Sequence, residues 1–303
     1  MTTPLVSVIL PTRNRVDFLR AAVASVLRQS ERDLELIVVD DASSDGTKTY
    51  LAALSAEDRR VRIVRNAVPK GGAGARNDGI LLSRGKWIAF LDDDDEWMPI
   101  KLRRQLKMLD ANGSAVACSC GYIRHLPSGR STAVTVPSNM SLEDLLIENR
   151  LGGASLCVCS STVLKSIGGF DERFRSAQDH DLWVRLIQAG TVVVCDESLV
   201  IYRAHGGPRV TNDQQSQYAG ARRFYFKYRH LMNETVRRRR ISHNCFLMSR
   251  QMARGSPYRF RYLLLSVLNA QPRASLRYAR SSIPRLARDA LLNSLRFWTS
   301  RAR

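Results

Sequence analysis

The sequence predicts an α/β protein with a mostly parallel, Rossmann-like central sheet flanked by helices and followed by a helical extension. Short apolar runs rich in Val and Ile alternate with segments of helical periodicity over residues 5–91. This alternation is typical of parallel βαβ units. Polar residues cluster directly after the apolar runs. Because open α/β sheets bind ligands beyond the carboxyl ends of their strands, we expect a binding site at these clusters.

The elements follow in order along the chain. The first strands are predicted at 5–11, 34–39, 61–64 and 87–91, and the intervening helices at 18–27, 50–54 and 75–82. Further strands are predicted at 115–122, 133–136, 158–164, 192–195 and 199–202, with helices at 141–149 and 182–189. A capping box of Ser141 and Asp144 marks the start of the first of these helices.

The strand pattern stops after Arg203. Amphipathic helices are predicted beyond it, at 224–232, 242–252, 258–268 and 286–298. We therefore expect one α/β domain over residues 1–205 and a basic, mainly helical region over residues 206–303.

The net charge of +19 comes entirely from residues 203–303. Residues 1–202 contain 25 basic and 25 acidic residues, whereas residues 203–303 contain 22 basic and 3 acidic ones. Such a region is attracted to phosphates of nucleic acids, anionic lipids or lipid-linked molecules. No apolar run approaches the about 18 residues that span a bilayer, and the N-terminus lacks a signal-peptide pattern, so we expect a cytoplasmic protein.

Five consecutive acidic residues, Asp92 to Glu96, follow the apolar strand at 87–91. The alternative to a functional role is a solvated acidic turn. Repulsion among carboxylates at a strand end is costly unless a cation offsets it, and Mg²⁺ binds one or two carboxylates together with substrate phosphates. The position therefore favours a divalent-metal site at Asp92 and Asp94.

Two other polar clusters follow the first and second strands. Asp40 and Asp41 end the second strand, where a carboxylate can accept the N–H of a bound base. The residues after the first strand would line the same crevice, and they are Pro11, Thr12, Arg13 and Asn14.

Two further segments precede predicted helices. A glycine-rich stretch leads into Arg76 and is consistent with a phosphate near a helix N-terminus. Asp179 precedes the helix at 182–189, where it could equally serve as a helix cap. Taken by itself, His205 is expected to be a surface histidine.

Together, and in their order over residues 4–205, these motifs resemble those of the inverting family 2 glycosyltransferases, which have a GT-A fold. The resemblance implies transfer of a sugar from a nucleotide-diphospho-sugar donor to an acceptor hydroxyl. It implies that Asp40 and Asp41 recognise the donor nucleobase and that Arg76 lies near the donor phosphates.

The resemblance also implies a cofactor, Mn²⁺ or Mg²⁺. Asp92 and Asp94 would be the metal-binding Asp-x-Asp pair, with Asp92 and Asp93 beside the donor. His205 lies where relatives often have a histidine near the metal or the diphosphate.

Asp179 would be the general base of a single displacement that inverts the anomeric carbon. The family commonly has Glu before this Asp, and Gln178 replaces it here, which changes how the pKa of the base is set. The Gln-x-x-Arg-Trp motif and membrane helices of processive synthases are absent from the sequence. Transfer of a single sugar is therefore expected.

The predicted partners are the donor and a saccharide or lipid-linked acceptor, as in cell-envelope polysaccharide or glycolipid assembly. The basic region suits an anionic membrane surface or, alternatively, packs on the core with solvated arginines. The rival interpretations are a nucleotidyltransferase, a nucleic-acid-binding protein and an NAD-dependent oxidoreductase. A nucleic-acid-binding role does not explain the acidic run. An NAD-dependent oxidoreductase would have a glycine-rich pattern after the first strand, which this sequence lacks.

Overall fold

A computed structural model describes residues 3–126, 128–203 and 213–251, together with residues 262, 265, 266 and 269. The strands are β1 (Val6–Thr12), β2 (Leu34–Asp40), β3 (Val61–Arg65), β4 (Trp87–Phe90), β5 (Asp95–Trp97), β6 (Ala115–His125), β7 (Ser131–Val134), β8 (Val158–Ser160) and β9 (Thr191–Arg203). The helices are α1 (Val16–Leu27), α2 (Thr47–Glu57), α3 (Gly71–Leu82), α4 (Lys101–Ala111), α5 (Leu142–Ile147), α6 (Ser161–Ser166), α7 (Gln178–Ala189), α8 (Gln214–Tyr228) and α9 (Glu234–Gln251).

All nine strands of the described residues join one sheet in the order β3-β2-β1-β4-β8-β6-β9-β5, and β7 pairs with β6 outside this path. Strands β3, β2, β1 and β4 are parallel, as are β6 and β9. The strand β8 is antiparallel to both β4 and β6 and joins the two parallel groups. The predicted α/β fold is confirmed.

The central strands are covered on both faces. Every residue of β2 and of β4 is buried, which is the burial that helices on both sides of a parallel sheet produce. Among these helices, α3 packs on β1 and β2, while α4 packs on β6 and β9. The continuous apolar runs of the sequence thus form the core, and the polar residues that follow them remain at the sheet edge.

Some predicted boundaries were wrong. The run at 158–164 contains three β-branched residues, but only Val158–Ser160 is a strand. The Ser160 hydroxyl accepts from the Val163 N–H at 3.4 Å and caps the start of α6. The two predicted strands at 192–195 and 199–202 are one strand, β9. The helix predicted at 182–189 begins four residues earlier, so that Asp179 lies in its first turn.

The described residues form two compact units. The first contains the residues up to Leu145 and Asn149–Phe224, and the second contains Leu146–Glu148 and the described residues from Tyr225 onward. The predicted domain boundary near residue 206 stays a prediction, because residues 204–212 lie outside the described residues. The helices predicted at 258–268 and 286–298 lie mostly and wholly outside them, respectively. Among the described helices, none has the length and apolar character that crossing a membrane requires.

Candidate active site

The carboxyl ends of β1, β2 and β4 meet at one edge of the sheet, because these strands are parallel neighbours. The polar residues that follow each strand therefore come together in space. The Thr12 hydroxyl at the end of β1 donates to Asp93 Oδ2 at 2.8 Å, in the loop after β4. The sequence prediction that these clusters share one crevice is consistent with this contact.

The acidic run after β4 places three carboxylates together. One oxygen each of Asp92, Asp94 and Asp95 lie within 4.8 Å of one another. Asp95 is buried at the start of β5, where its Oδ2 accepts from the Ser155 hydroxyl at 2.6 Å. Three hard oxygen donors at this spacing fit a divalent cation such as Mg²⁺ or Mn²⁺.

Asp93 points the other way, toward β1. Its two oxygens accept from Thr12 and from Arg15, whose Nη1 lies 3.0 Å away. Burial raises the pKa of Asp93 to about 6, although the Arg15 charge and the Thr12 bond oppose the shift. Within the described contacts, Asp93 therefore ties the acidic run to the first strand.

Asp41 holds the loop that precedes α3. Its Oδ1 accepts from the Asn66 side chain at 2.9 Å and from the Lys70 N–H at 2.8 Å, and its Oδ2 accepts from the Gly71 N–H at 2.8 Å. The neighbouring Asp40 is buried, accepts from the Ser43 N–H at 2.8 Å and pairs with Arg65 at 3.0 Å. Both acids of this doublet thus organise loops at the crevice.

The loop after β1 is held from the β2 side. Asn14 Oδ1 accepts from the Ser44 N–H at 2.7 Å, and the Asn14 N–H donates to the Ser43 hydroxyl at 2.9 Å. Arg13 is exposed and Pro11 is half-buried beside them. These side chains lie at the edge of the site, where a ligand can reach them.

Arg76 on α3 links the acidic run to α7. Its guanidinium donates to Asp92 and, at 3.0 Å, to Gln178 Oε1, and it lies 5.2 Å from the Phe170 ring centroid. Burial disfavours its charge, but Asp92 and Asp179 outweigh burial and raise the pKa of Arg76. A permanent positive charge thus stands between two carboxylates.

Asp179 lies in the first turn of α7, close enough to Asp92 for the two charges to interact. Its Oδ1 is buried and has no hydrogen-bond partner. Burial raises the pKa of Asp179 to about 6; the Arg76 charge lowers it, the Asp92 charge raises it, and the Ala154 N–H lowers it. A carboxylate with this pKa is ionised at pH 7 and can still accept a proton, as a general base must.

Strained backbone lies in the same loops. The described non-glycine residues with positive φ are Asn14 at 53°, Ala42 at 61° and Ala177 at 64°. They precede α1, follow Asp41 and precede Gln178, respectively. Such conformations cost free energy and persist where surrounding contacts impose them, often at functional sites.

The sequence interpretation missed part of this arrangement. Asp95 is a member of the acidic cluster, and Ser155 and Tyr202 reach it through contacts between residues that are distant in sequence. The five-residue acidic run pointed to Asp95 without distinguishing it from its neighbours. His205, predicted near the metal, lies outside the described residues.

Comparison with known proteins agrees with this geometry. A mostly parallel sheet with an acidic cluster at the carboxyl ends of its strands is the arrangement expected of a GT-A glycosyltransferase. Residues 7–164 match the family described as Glycosyl transferase family 2. The chain belongs to this family, and the resemblance found in the sequence is confirmed.

Two bacterial relatives are similar over most of the chain. The putative teichuronic acid biosynthesis glycosyltransferase TuaG of Bacillus subtilis is 31% identical over 75% of this chain and 88% of its own length. The UDP-Glc:alpha-D-GlcNAc-diphosphoundecaprenol beta-1,3-glucosyltransferase WfgD of Escherichia coli is 31% identical over 62% of this chain and 72% of its own.

Solved structures share the fold at low sequence identity. TarS 1–349 of S. aureus in complex with UDP-GlcNAc superposes with a TM-score of 0.66 at 16% identity, over 88% of this chain and 82% of that one. The mannosyltransferase PcManGT of Pyrobaculum calidifontis, in complex with GDP-Man and Mn²⁺, gives a TM-score of 0.56 at 19% identity. The match covers 99% of this chain and 84% of that one. These likenesses support the GT-A fold.

Proposed function

We propose that this glycosyltransferase transfers a single sugar from a nucleoside-diphosphate sugar to an acceptor hydroxyl, with inversion of the anomeric carbon. The observation that carries the proposal is the pair of opposing groups at the sheet edge. The cluster of Asp92, Asp94 and Asp95 suits the donor diphosphate and its cation, and Asp179 faces this cluster with an unpartnered buried oxygen.

The acceptor hydroxyl oxygen attacks the anomeric carbon while Asp179 takes the hydroxyl proton. A bond forms between the acceptor oxygen and the anomeric carbon, and the bond from this carbon to the diphosphate oxygen breaks. The electron pair leaves with the nucleoside diphosphate. A positioned base of this kind contributes about 10²- to 10⁴-fold to the rate.

Mn²⁺ or Mg²⁺ would be held by Asp94, with Asp92 and Asp95 completing the oxygen set. A divalent cation there stabilises negative charge on the diphosphate. Arg76 would add a fixed positive charge on the side of the base. We keep His205 as a fourth candidate ligand.

The nucleotide would occupy the half of the edge formed by β1 and β2. Its base would meet Asp41 and Asp40, and the segment Pro11–Asn14 would line the nucleotide. Because Thr12 and Arg15 engage both oxygens of Asp93, we assign Asp93 to shaping the donor pocket.

The acceptor would be a saccharide of cell-envelope assembly, free or lipid-linked, as the names of TuaG and WfgD suggest. We place the enzyme in the cytoplasm, at the inner face of the membrane. The basic C-terminal region would contact anionic lipids there.

The test is the release of nucleoside diphosphate from a panel of UDP-, dTDP- and GDP-sugars with Mn²⁺ or Mg²⁺. We expect one donor to be hydrolysed slowly without acceptor, and Asp94→Asn to abolish this release. Asp110→Asn, an exposed α4 change, is the matched control. Release of pyrophosphate instead, from a nucleoside triphosphate and a sugar phosphate, would identify a nucleotidyltransferase and overturn the proposal.

A further inference from the structure

We infer that Tyr122 and Tyr202 form an aromatic shelf on which a pyranose ring of the acceptor stacks, with its reactive hydroxyl directed at Asp179. The inference rests on the proposed function and adds the subsite that recognises the acceptor. It concerns the half of the sheet edge opposite to β1 and β2.

The two tyrosines lie on neighbouring parallel strands, β6 and β9. In their register Tyr122 is opposite Val200 and Arg124 is opposite Tyr202, so both rings are on one face of the sheet. The ring centroids are 4.4 Å apart with 37° between the planes. Both side chains are half-buried, which leaves ring surface for a ligand.

The shelf adjoins the proposed base. A β carbon built at Gly153 would lie 2.8 Å from the Tyr202 hydroxyl and 3.7 Å from Asp179 Oδ2. The phenol and the carboxylate therefore flank the same glycine, whose missing side chain leaves room between them. Tyr202 is also the register partner of Asp95 in the β5–β9 pair, so the shelf adjoins the acidic cluster as well.

The Tyr202 hydroxyl is kept as a hydrogen-bond donor. A tyrosine hydroxyl is neutral at pH 7, because the ordinary tyrosine pKa is about 10. A neutral phenol can donate to a sugar oxygen while its ring covers the apolar C–H face of the sugar. Arg124 fixes the other ring, since its Nη2 donates to the Tyr122 hydroxyl at 3.2 Å.

Sheet order separates this shelf from the proposed nucleotide site. The strands β1 and β2 lie on one side of β4, and β6 and β9 lie on the other, beyond β8. A ring ligand on the shelf would thus approach Asp179 from the side away from Asp41. This position favours an acceptor sugar over the donor nucleobase.

The experiment uses the donor identified by hydrolysis and, as probes, octyl glycosides of glucose, galactose, mannose and N-acetylglucosamine in both anomers. The variants are Tyr122→Leu, which removes the ring, and Tyr202→Phe, which removes only the hydroxyl. Tyr218→Leu, at an exposed tyrosine of α8, is the control. Thermal melting checks that each variant is folded.

We expect transfer to at least one glycoside. Tyr122→Leu should raise the KM for that glycoside roughly tenfold, the loss expected for one stacking contact, while the KM for the donor stays at the wild-type value. Tyr202→Phe should raise the same KM severalfold. The control should leave both KM values as in the wild type.

Three outcomes would overturn the inference. The first is that Tyr122→Leu leaves the KM for the glycoside unchanged. The second is that Tyr122→Leu raises the KM for the donor as much as that for the glycoside, which would place the nucleobase on the shelf. The third is that the wild-type enzyme transfers sugar to none of the glycosides. The proposed function fails separately, when the wild type hydrolyses no donor at all.

Discussion

At the scale of single residues, the site depends on charges held at unusual pKa values. Arg76 lies between Asp92 and Asp179, and burial raises the pKa of Asp179 to about 6. Sequence reasoning selected these three residues from their positions after strands and before helices. The contact of Arg76 with both carboxylates could not be anticipated, because Arg76 and Asp179 are 103 positions apart in the sequence.

Asp179→Asn should lower kcat by about 10²- to 10⁴-fold, because the amide cannot accept the acceptor proton. The KM for the donor should change little, since binding does not require the base. Initial rates at saturating acceptor measure the effect. The exposed change Asp110→Asn should behave as the wild type, and a loss confined to KM would contradict the assigned role.

The rate should also depend on pH through this carboxyl. Because only the ionised form is a base, kcat/KM should fall about tenfold per pH unit below about 6, the pKa of Asp179. A pH profile at fixed metal concentration measures this limb. A limb centred near the ordinary carboxyl pKa of about 4 would contradict it.

Gln178→Glu tests the departure from the family pattern. The new carboxylate would pair with Arg76, whose Nη1 now lies 3.0 Å from Gln178 Oε1, and its negative charge would raise the pKa of Asp179 further. The acid limb of kcat/KM should therefore move to higher pH, by roughly one unit. Gln215→Glu on the exposed side of α8 adds the same charge elsewhere and should leave the limb in place.

At the scale of elements, one buried carboxylate joins β1, β2 and β3. Glu35 accepts from Ser7 at 2.7 Å, from Arg62 at 2.9 Å and from the Arg84 N–H at 2.8 Å. Burial alone would raise the pKa of Glu35, but these three partners together outweigh it and lower the pKa below 4.5. The ionised form therefore stabilises the fold.

Glu35→Gln should lower the free energy of unfolding by about 2 kcal/mol at pH 7, through weakened charge-assisted hydrogen bonds. Because the folded pKa of Glu35 is depressed, this contribution is present above the unfolded pKa and is lost as the pH falls through the folded pKa. Urea unfolding at pH 7 and pH 3 should show the difference from wild type shrinking. If the difference in unfolding free energy were the same at both pH values, the destabilisation would come from changed packing and not from the lost charge.

Most elements with clear local periodicity were predicted, but the amphipathic helix α4 was missed. The first four strands were located from apolar runs. The strand β5 escaped detection because three residues carry no readable period, and it exists only through pairing with β9. The helix α6 was mistaken for a strand because the β-branched Val and Thr of this segment favour strands, whereas Ser160 caps a helix there.

At the scale of the whole molecule, the parallel part of the sheet could be predicted from the alternation of strands and helices. The antiparallel insertion of β8 between β4 and β6 could not be predicted, since no local pattern encodes which distant strand becomes a neighbour.

The distribution of charge could be predicted from the sequence alone. The first part of the chain is balanced in charge, whereas the C-terminal region is basic.

The basic region should bind anionic vesicles. Arg237, Arg238 and Arg239 are exposed in the first turns of α9, and each arginine near such a surface contributes about 1 kcal/mol. Replacing all three by Gln should weaken binding to phosphatidylserine vesicles roughly 100-fold in a flotation assay at low salt. Replacing three exposed basic residues of the first unit, Arg59, Arg103 and Lys107, removes the same charge and should weaken it far less.

The strained alanines have a consequence for how the protein tolerates mutation. Ala42 and Ala177 are small, half-buried loop residues, and substitution there would ordinarily be nearly silent. At φ values of 61° and 64°, glycine adopts the backbone conformation without strain, whereas β-branched residues are destabilised there by about 1 kcal/mol or more. In a saturation mutagenesis library, these positions should accept Gly and Asn and reject Val and Ile.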